Sequence, residues 1–115
     1  MMPDQSSFVS LTNGRAIPLE SVPMLSLDDF GGAVLDGVAG GQRVAAMFGI
    51  STGRAQVAQL YAVLADDEQN RLYAGRAEVE GDRFPSLTPR CPQVHLFERE
   101  IAEQFGLRAV DPRIR

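Results

Sequence analysis

The chain has 115 residues, 44% of them hydrophobic, which suits one compact domain with its own core. All eleven basic residues are arginine and the net charge is −4, so nucleic acid is not expected as a partner. The single cysteine excludes an internal disulfide and a four-cysteine iron–sulfur site within this chain. Since no segment approaches the roughly 20 apolar residues of a membrane span, we expect a cytoplasmic protein without direct membrane insertion.

The first third of the sequence predicts a tail, a short strand and a helix. Residues 1–7 are polar, which predicts a disordered tail, and residues 8–115 are expected to form a single domain. Residues 8–11 are a candidate strand. A helix is predicted over residues 26–39, because Ser26 offers an N-cap, apolar residues recur at helical spacing, and two glycines follow.

The middle of the sequence predicts a β-hairpin. Residues 43–50 and 56–64 are rich in strand-forming side chains, and a turn sequence separates them. In the second run both alternating faces are mostly apolar, which indicates a central strand. A helix over residues 53–65 is the alternative, since periodicity does not exclude it. The polar run 66–70 predicts a hairpin tip, followed by a strand over residues 71–79.

The C-terminal part predicts a second helix, over residues 93–105. Pro92 suits its first turn, and Gly106 supplies its end. A core-facing stripe repeats at spacings of three, four and four: Val94, Phe97, Ile101 and Phe105. The expected fold is therefore α+β, a two-layer domain with a mixed or mainly antiparallel sheet of about four strands and two main helices packed on it.

The charged side chains of this second helix are expected mostly on its flanks or in solvent. They are Glu98, Arg99, Glu100 and Glu103. Arg99 and Glu103 are four residues apart and can form a weak ion pair. Glu100 and Glu103 share one side of the helix, whereas Glu98 and Glu100 do not, so the latter are no natural acid–base pair.

Two other reactive residue types each occur once. His95 has no cysteine–histidine cluster around it in sequence, so a surface role is expected before a ligand role. Cys91 follows Arg90, which is expected to lower the pKa of the thiol slightly, but nothing nearby in sequence suggests a catalytic thiol.

The segment from residue 85 to residue 107 resembles a known family signature. Its elements are Ser86-Leu87-Thr88-Pro89, Pro92, Glu98-Arg99-Glu100 and Phe105-Gly106-Leu107. This order is similar to the C-terminal signature of the C subunit of bacterial NADH-quinone oxidoreductase, respiratory complex I. The same domain occurs at the N-terminus of the large subunits of membrane-bound nickel–iron hydrogenases and formate hydrogenlyases.

The resemblance implies an accessory, non-catalytic domain that docks on the large catalytic subunit of such an oxidoreductase. Its Glu-Arg-Glu helix would face that subunit, which makes Glu98, Arg99, Glu100 and Glu103 the expected interface. No cofactor is expected in this chain, because the iron–sulfur clusters and the quinone or nickel–iron chemistry would belong to the parent complex. The complex would hold the chain at the cytoplasmic side of the inner membrane.

Two other kinds of function remain open from the sequence. One is a stand-alone small enzyme or ligand-binding protein that uses Glu100, Glu103, His95 and Arg99. It requires these side chains to converge in a deep cleft, whereas a flat helix face would favour a docking role. The other is a domain that forms a homodimer.

Overall fold

The computed structural model describes residues 8–12 and 21–110 of the chain. The elements, in chain order, are β1 Val9–Thr12, β2 Met24–Leu25, α1 Leu27–Ala39, β3 Arg43–Ser51, β4 Val57–Asp66, β5 Arg71–Glu80, β6 Arg83–Pro85, a 3₁₀ turn Pro92–Val94, α2 His95–Phe105 and β7 Arg108–Val110. The predicted disordered tail, residues 1–7, lies outside the described residues.

The main sheet has five strands and is mostly antiparallel. Its order is β1-β5-β4-β3, and the short β2 pairs parallel to β5. β1 and β2 pair with successive stretches of β5, residues 71–74 and 76–77. A separate parallel pair joins β6 to β7. The predicted α+β fold with two helices is confirmed, and the sheet has one strand more than expected.

Both helices pack on the same face of the sheet. The core between the layers contains Phe30 and Val34 from α1, Ile101 from α2, and Leu60 and Leu64 from β4. Leu60, Leu64, Val34 and Ile101 are each less than 2% exposed. Burial of large aliphatic side chains is the main favourable term in folding, so this layer holds the two helices in place.

The hairpin prediction is confirmed, and the alternative helix over residues 53–65 is wrong. β3 pairs antiparallel with β4, with an irregularity between Val44 and Ala46. β4 lies between β3 and β5 and is buried on both faces, as its two apolar faces predict. On the face away from the helices, Tyr61 stacks on Phe48 with ring centroids 5.3 Å apart.

The first helix begins and ends as its sequence predicts. The Ser26 side chain accepts a hydrogen bond from the backbone N–H of Asp29 at 3.1 Å, and the helix ends at Gly40. Gly37 is a close-packing position, because a Cβ atom there would lie 2.5 Å from Leu64 Cδ1. This glycine lets α1 approach β4, so its cost in helix propensity is offset by packing.

Candidate functional site

The candidate site is α2 together with the loop that precedes it. α2 begins at His95, two residues later than predicted, because residues 92–94 form a 3₁₀ turn. It ends at Gly106, whose φ of 66° is a left-handed conformation that glycine adopts readily. Val94 and Ile101 of the predicted stripe are fully buried, and Phe97 and Phe105 are half-buried against the same core.

Glu98 is the most strongly bound side chain of the candidate site. One carboxylate oxygen, Oε1, accepts hydrogen bonds from Ser86 Oγ at 2.7 Å and from Thr88 Oγ1 at 2.6 Å. The other oxygen, Oε2, accepts one from the backbone N–H of Leu87 at 2.6 Å. Hydrogen bonds to an ionised carboxylate are about twice as strong as neutral ones. Glu98 therefore fixes the loop of residues 86–88 onto α2.

The expectation that Glu98 lies on an exposed or flanking position is wrong. The residue is only 3% exposed, because the preceding loop folds over its carboxylate. Glu98 lies four residues after Val94 and three before Ile101, so it belongs to the buried side of the helix. Burial distinguishes Glu98 from the other three charged residues, which are exposed.

Arg99, Glu100 and Glu103 are exposed, as predicted. Arg99 Nε lies 3.5 Å from Glu103 Oε2, in the expected i,i+4 ion pair. An exposed pair of this kind contributes little to folding. Leu96 lies among these residues on the same side of α2 and is 67% exposed. The solvent face of α2 is thus a charged surface with one large apolar side chain in it.

The four residues of the enzyme alternative do not converge in a cleft. His95 and Arg99 line a shallow, open groove of about 380 Å³, with Ser86, Thr88 and Ala102. Glu100 and Glu103 are absent from its lining. Within the described part of the chain, no group of three or more His, Cys, Asp or Glu side chains is placed to hold a metal ion.

The pKa prediction for Cys91 is wrong in direction. The residue is 2% exposed, and burial raises the pKa of its thiol because the thiolate would lose its hydration. Backbone hydrogen bonds from Gln93 and Val94 oppose this shift without reversing it. Arg90 is exposed and is not among the causes.

Cys91 should therefore react with a thiol reagent mainly after the chain opens. We expect labelling by Ellman's reagent at pH 8 to be at least about a hundredfold slower in buffer than in concentrated urea, since folding equilibria of small domains exceed about 10³. Stopped-flow absorbance measures both rates. Comparable rates would show that the loop before α2 does not enclose the thiol.

The acidic tip of the β4–β5 hairpin is bound to the start of β3. Arg43 binds Asp67 through two hydrogen bonds, of 2.8 and 3.1 Å. These bonds lower the pKa of the Asp67 carboxyl. Asp67 is thereby tied to the start of β3, across the tip of the β4–β5 hairpin.

Comparison with known proteins adds no family assignment. No protein-family model matches the sequence, and a search of curated proteins gives no significant match. The resemblance to the complex I family therefore depends on the signature residues between positions 85 and 107. Neither α1 nor α2, the helices in the described ranges, combines the length and apolar character needed to cross a membrane.

Proposed function

We propose that this chain is an accessory, non-catalytic domain of a complex I-like NADH-quinone oxidoreductase or a related membrane-bound hydrogenase. It would dock on the large catalytic subunit and serve assembly. The chemistry would reside in the other subunits, with no cofactor held by this chain. As part of that complex it would lie at the cytoplasmic side of the inner membrane.

The observation that carries the proposal is the contact between the two parts of the signature. Ser86 and Thr88 come from the first part, and both donate to Glu98 of the Glu-Arg-Glu triplet. Ser86 lies twelve residues before Glu98 and Thr88 lies ten before it, and both hydroxyl groups donate to the same carboxylate oxygen. This contact supports the resemblance, because residues from both parts of the signature act together in one hydrogen-bonded structure.

The arrangement also separates two roles within the triplet. Glu98 is directed inward and fixes the loop, whereas Arg99 and Glu100 are directed to solvent on a helix held by buried Ile101. A rigid helix that presents charged side chains can orient a partner, because complementary charges fix register and specificity. We therefore assign the docking contact to Arg99, Glu100 and Glu103, with Glu98 as the residue that positions them.

Arg99→Glu should weaken docking without unfolding the chain. The ion pair of Arg99 with Glu103 is exposed, so the thermal midpoint should change little. The planar guanidinium of Arg99 can bind a partner carboxylate through two hydrogen bonds. Charge reversal at this position should therefore weaken association with the large subunit at least about tenfold. The measurement is co-purification and titration with the large catalytic subunit of the source organism's oxidoreductase.

Arg71→Glu is the matched control for this experiment. Arg71 is also exposed, but it lies on β5 and donates to Ser10 on β1. It should leave docking unchanged. If the two variants bind the large subunit equally well, Arg99 is not in the interface. If Arg99→Glu unfolds the chain, its role is structural instead.

A further inference from the structure

The inner side of the groove beside α2 has its hydroxyl protons already in use. The less exposed residues of its lining are Ser86, Thr88, Glu98 and Ala102. A hydroxyl group carries one proton, and both Ser86 and Thr88 donate theirs to Glu98 Oε1. The inner part of the groove therefore offers a ligand apolar carbon and acceptor oxygens, but no hydroxyl proton.

Two donors that are not used in this way, His95 and Arg99, lie at the rim of the groove. Both are exposed, and their spacing of four residues on α2 places their Cβ atoms about 5–6 Å apart. The contact of Arg99 Nε with Glu103 Oε2, at 3.5 Å, is long and leaves the outer nitrogens of the guanidinium for another acceptor. Within residues 8–12 and 21–110 the His95 ring has no hydrogen-bond partner, and a histidine ring carries an N–H in either protonation form.

The charge at this rim is opposite in sign to that of the chain as a whole. The chain has a net charge of −4, whereas the exposed ionisable side chains in the groove lining are a histidine and an arginine. The acid in the lining, Glu98, is buried, and three donors cover its oxygens. Glu103 does not line the groove. Electrostatic complementarity therefore favours an acidic partner.

We propose that this groove receives an acidic segment of the large subunit, with one carboxylate bound by both Arg99 and His95; this inference rests on the docking function proposed above. The planar guanidinium binds a carboxylate through two parallel hydrogen bonds, and the His95 N–H donates to the same group. The carboxylate stays at the rim, because deeper in the groove it would be repelled by the charge of Glu98. A neighbouring apolar side chain of the segment enters the groove and packs on Pro89 and Ala102.

Titration of the wild-type chain with a short peptide, followed by nuclear magnetic resonance, tests the occupant without the large subunit. The probe is acetylated and amidated Ala-Leu-Glu-Leu-Ala, and its control has lysine in place of glutamate. We expect saturable shifts of the Thr88, His95 and Arg99 amide signals at millimolar concentrations of the glutamate peptide alone. The double variant His95→Gln/Arg99→Gln should weaken this binding about fivefold, since exposed charge contacts are individually weak. The absence of saturable shifts at these residues, or equal shifts with the lysine peptide, would overturn the proposal.

Titration with the large subunit separates this inference from the docking function. His95→Glu should weaken association with the large subunit at least about fivefold, and Arg71→Glu should leave it unchanged. If the large subunit binds the wild-type chain and His95→Glu equally well, docking stands but the groove is not its contact, and the inference is overturned. If the wild-type chain does not bind the large subunit while the glutamate peptide still occupies the groove, the docking function fails and the preference of the groove for an acidic segment stands by itself.

Discussion

Replacing Glu98 with alanine should destabilise the chain by about 2–4 kcal/mol. The substitution leaves the buried Leu87 N–H without an acceptor and removes the acceptor for two hydroxyl groups. A buried donor left unsatisfied costs about 1–3 kcal/mol, and the lost bonds to a charged group add to this. Urea unfolding followed by circular dichroism gives the change in free energy.

Glu100→Ala is the matched control for the Glu98 experiment. Glu100 is exposed on the same helix, so its removal should change stability by less than about 0.5 kcal/mol. If both variants unfold at the wild-type urea midpoint, the loop of residues 86–88 does not depend on the carboxylate. The positioning role assigned to Glu98 would then be lost.

Ile101→Ala should cost about 2–5 kcal/mol, the usual range for truncating a large buried aliphatic side chain. Ile101 is 1% exposed and packs in the core between α2 and the sheet. Leu96→Ala, on the solvent side of the same helix, should be within about 0.5 kcal/mol of wild type. Urea midpoints of the two variants give the comparison. Equal effects would mean that α2 buries a different face against the sheet.

Local chemistry made most of the elements predictable. Ser26 caps α1, the glycines after Ala39 end it, and Gly106 ends α2, because each of these roles depends on a few neighbouring residues. The two apolar faces of β4 likewise indicated a central strand. These signals are short-range, so a single sequence carries them.

The features that were missed depend on contacts between distant segments. Cys91 is enclosed by packing of the loop before α2, so the adjacent Arg90 was a poor guide to the pKa of its thiol. Pairing of both β1 and β2 with β5 is also set by tertiary structure, and no local pattern specifies it. Glu98 did carry a signal, since its spacing from Val94 and Ile101 places it on the buried side. The prediction placed Glu98 toward solvent because charged side chains are usually exposed.

The docking assignment depends on the exposed face of α2, and direct binding tests it. Titration of the purified chain into the large catalytic subunit of the source organism's complex I-like oxidoreductase or hydrogenase, followed by calorimetry, measures the affinity and stoichiometry. We expect a saturable complex with one chain per large subunit, weakened by Arg99→Glu and unaffected by Arg71→Glu. No binding of the folded wild-type chain to either class of large subunit would contradict the proposed function.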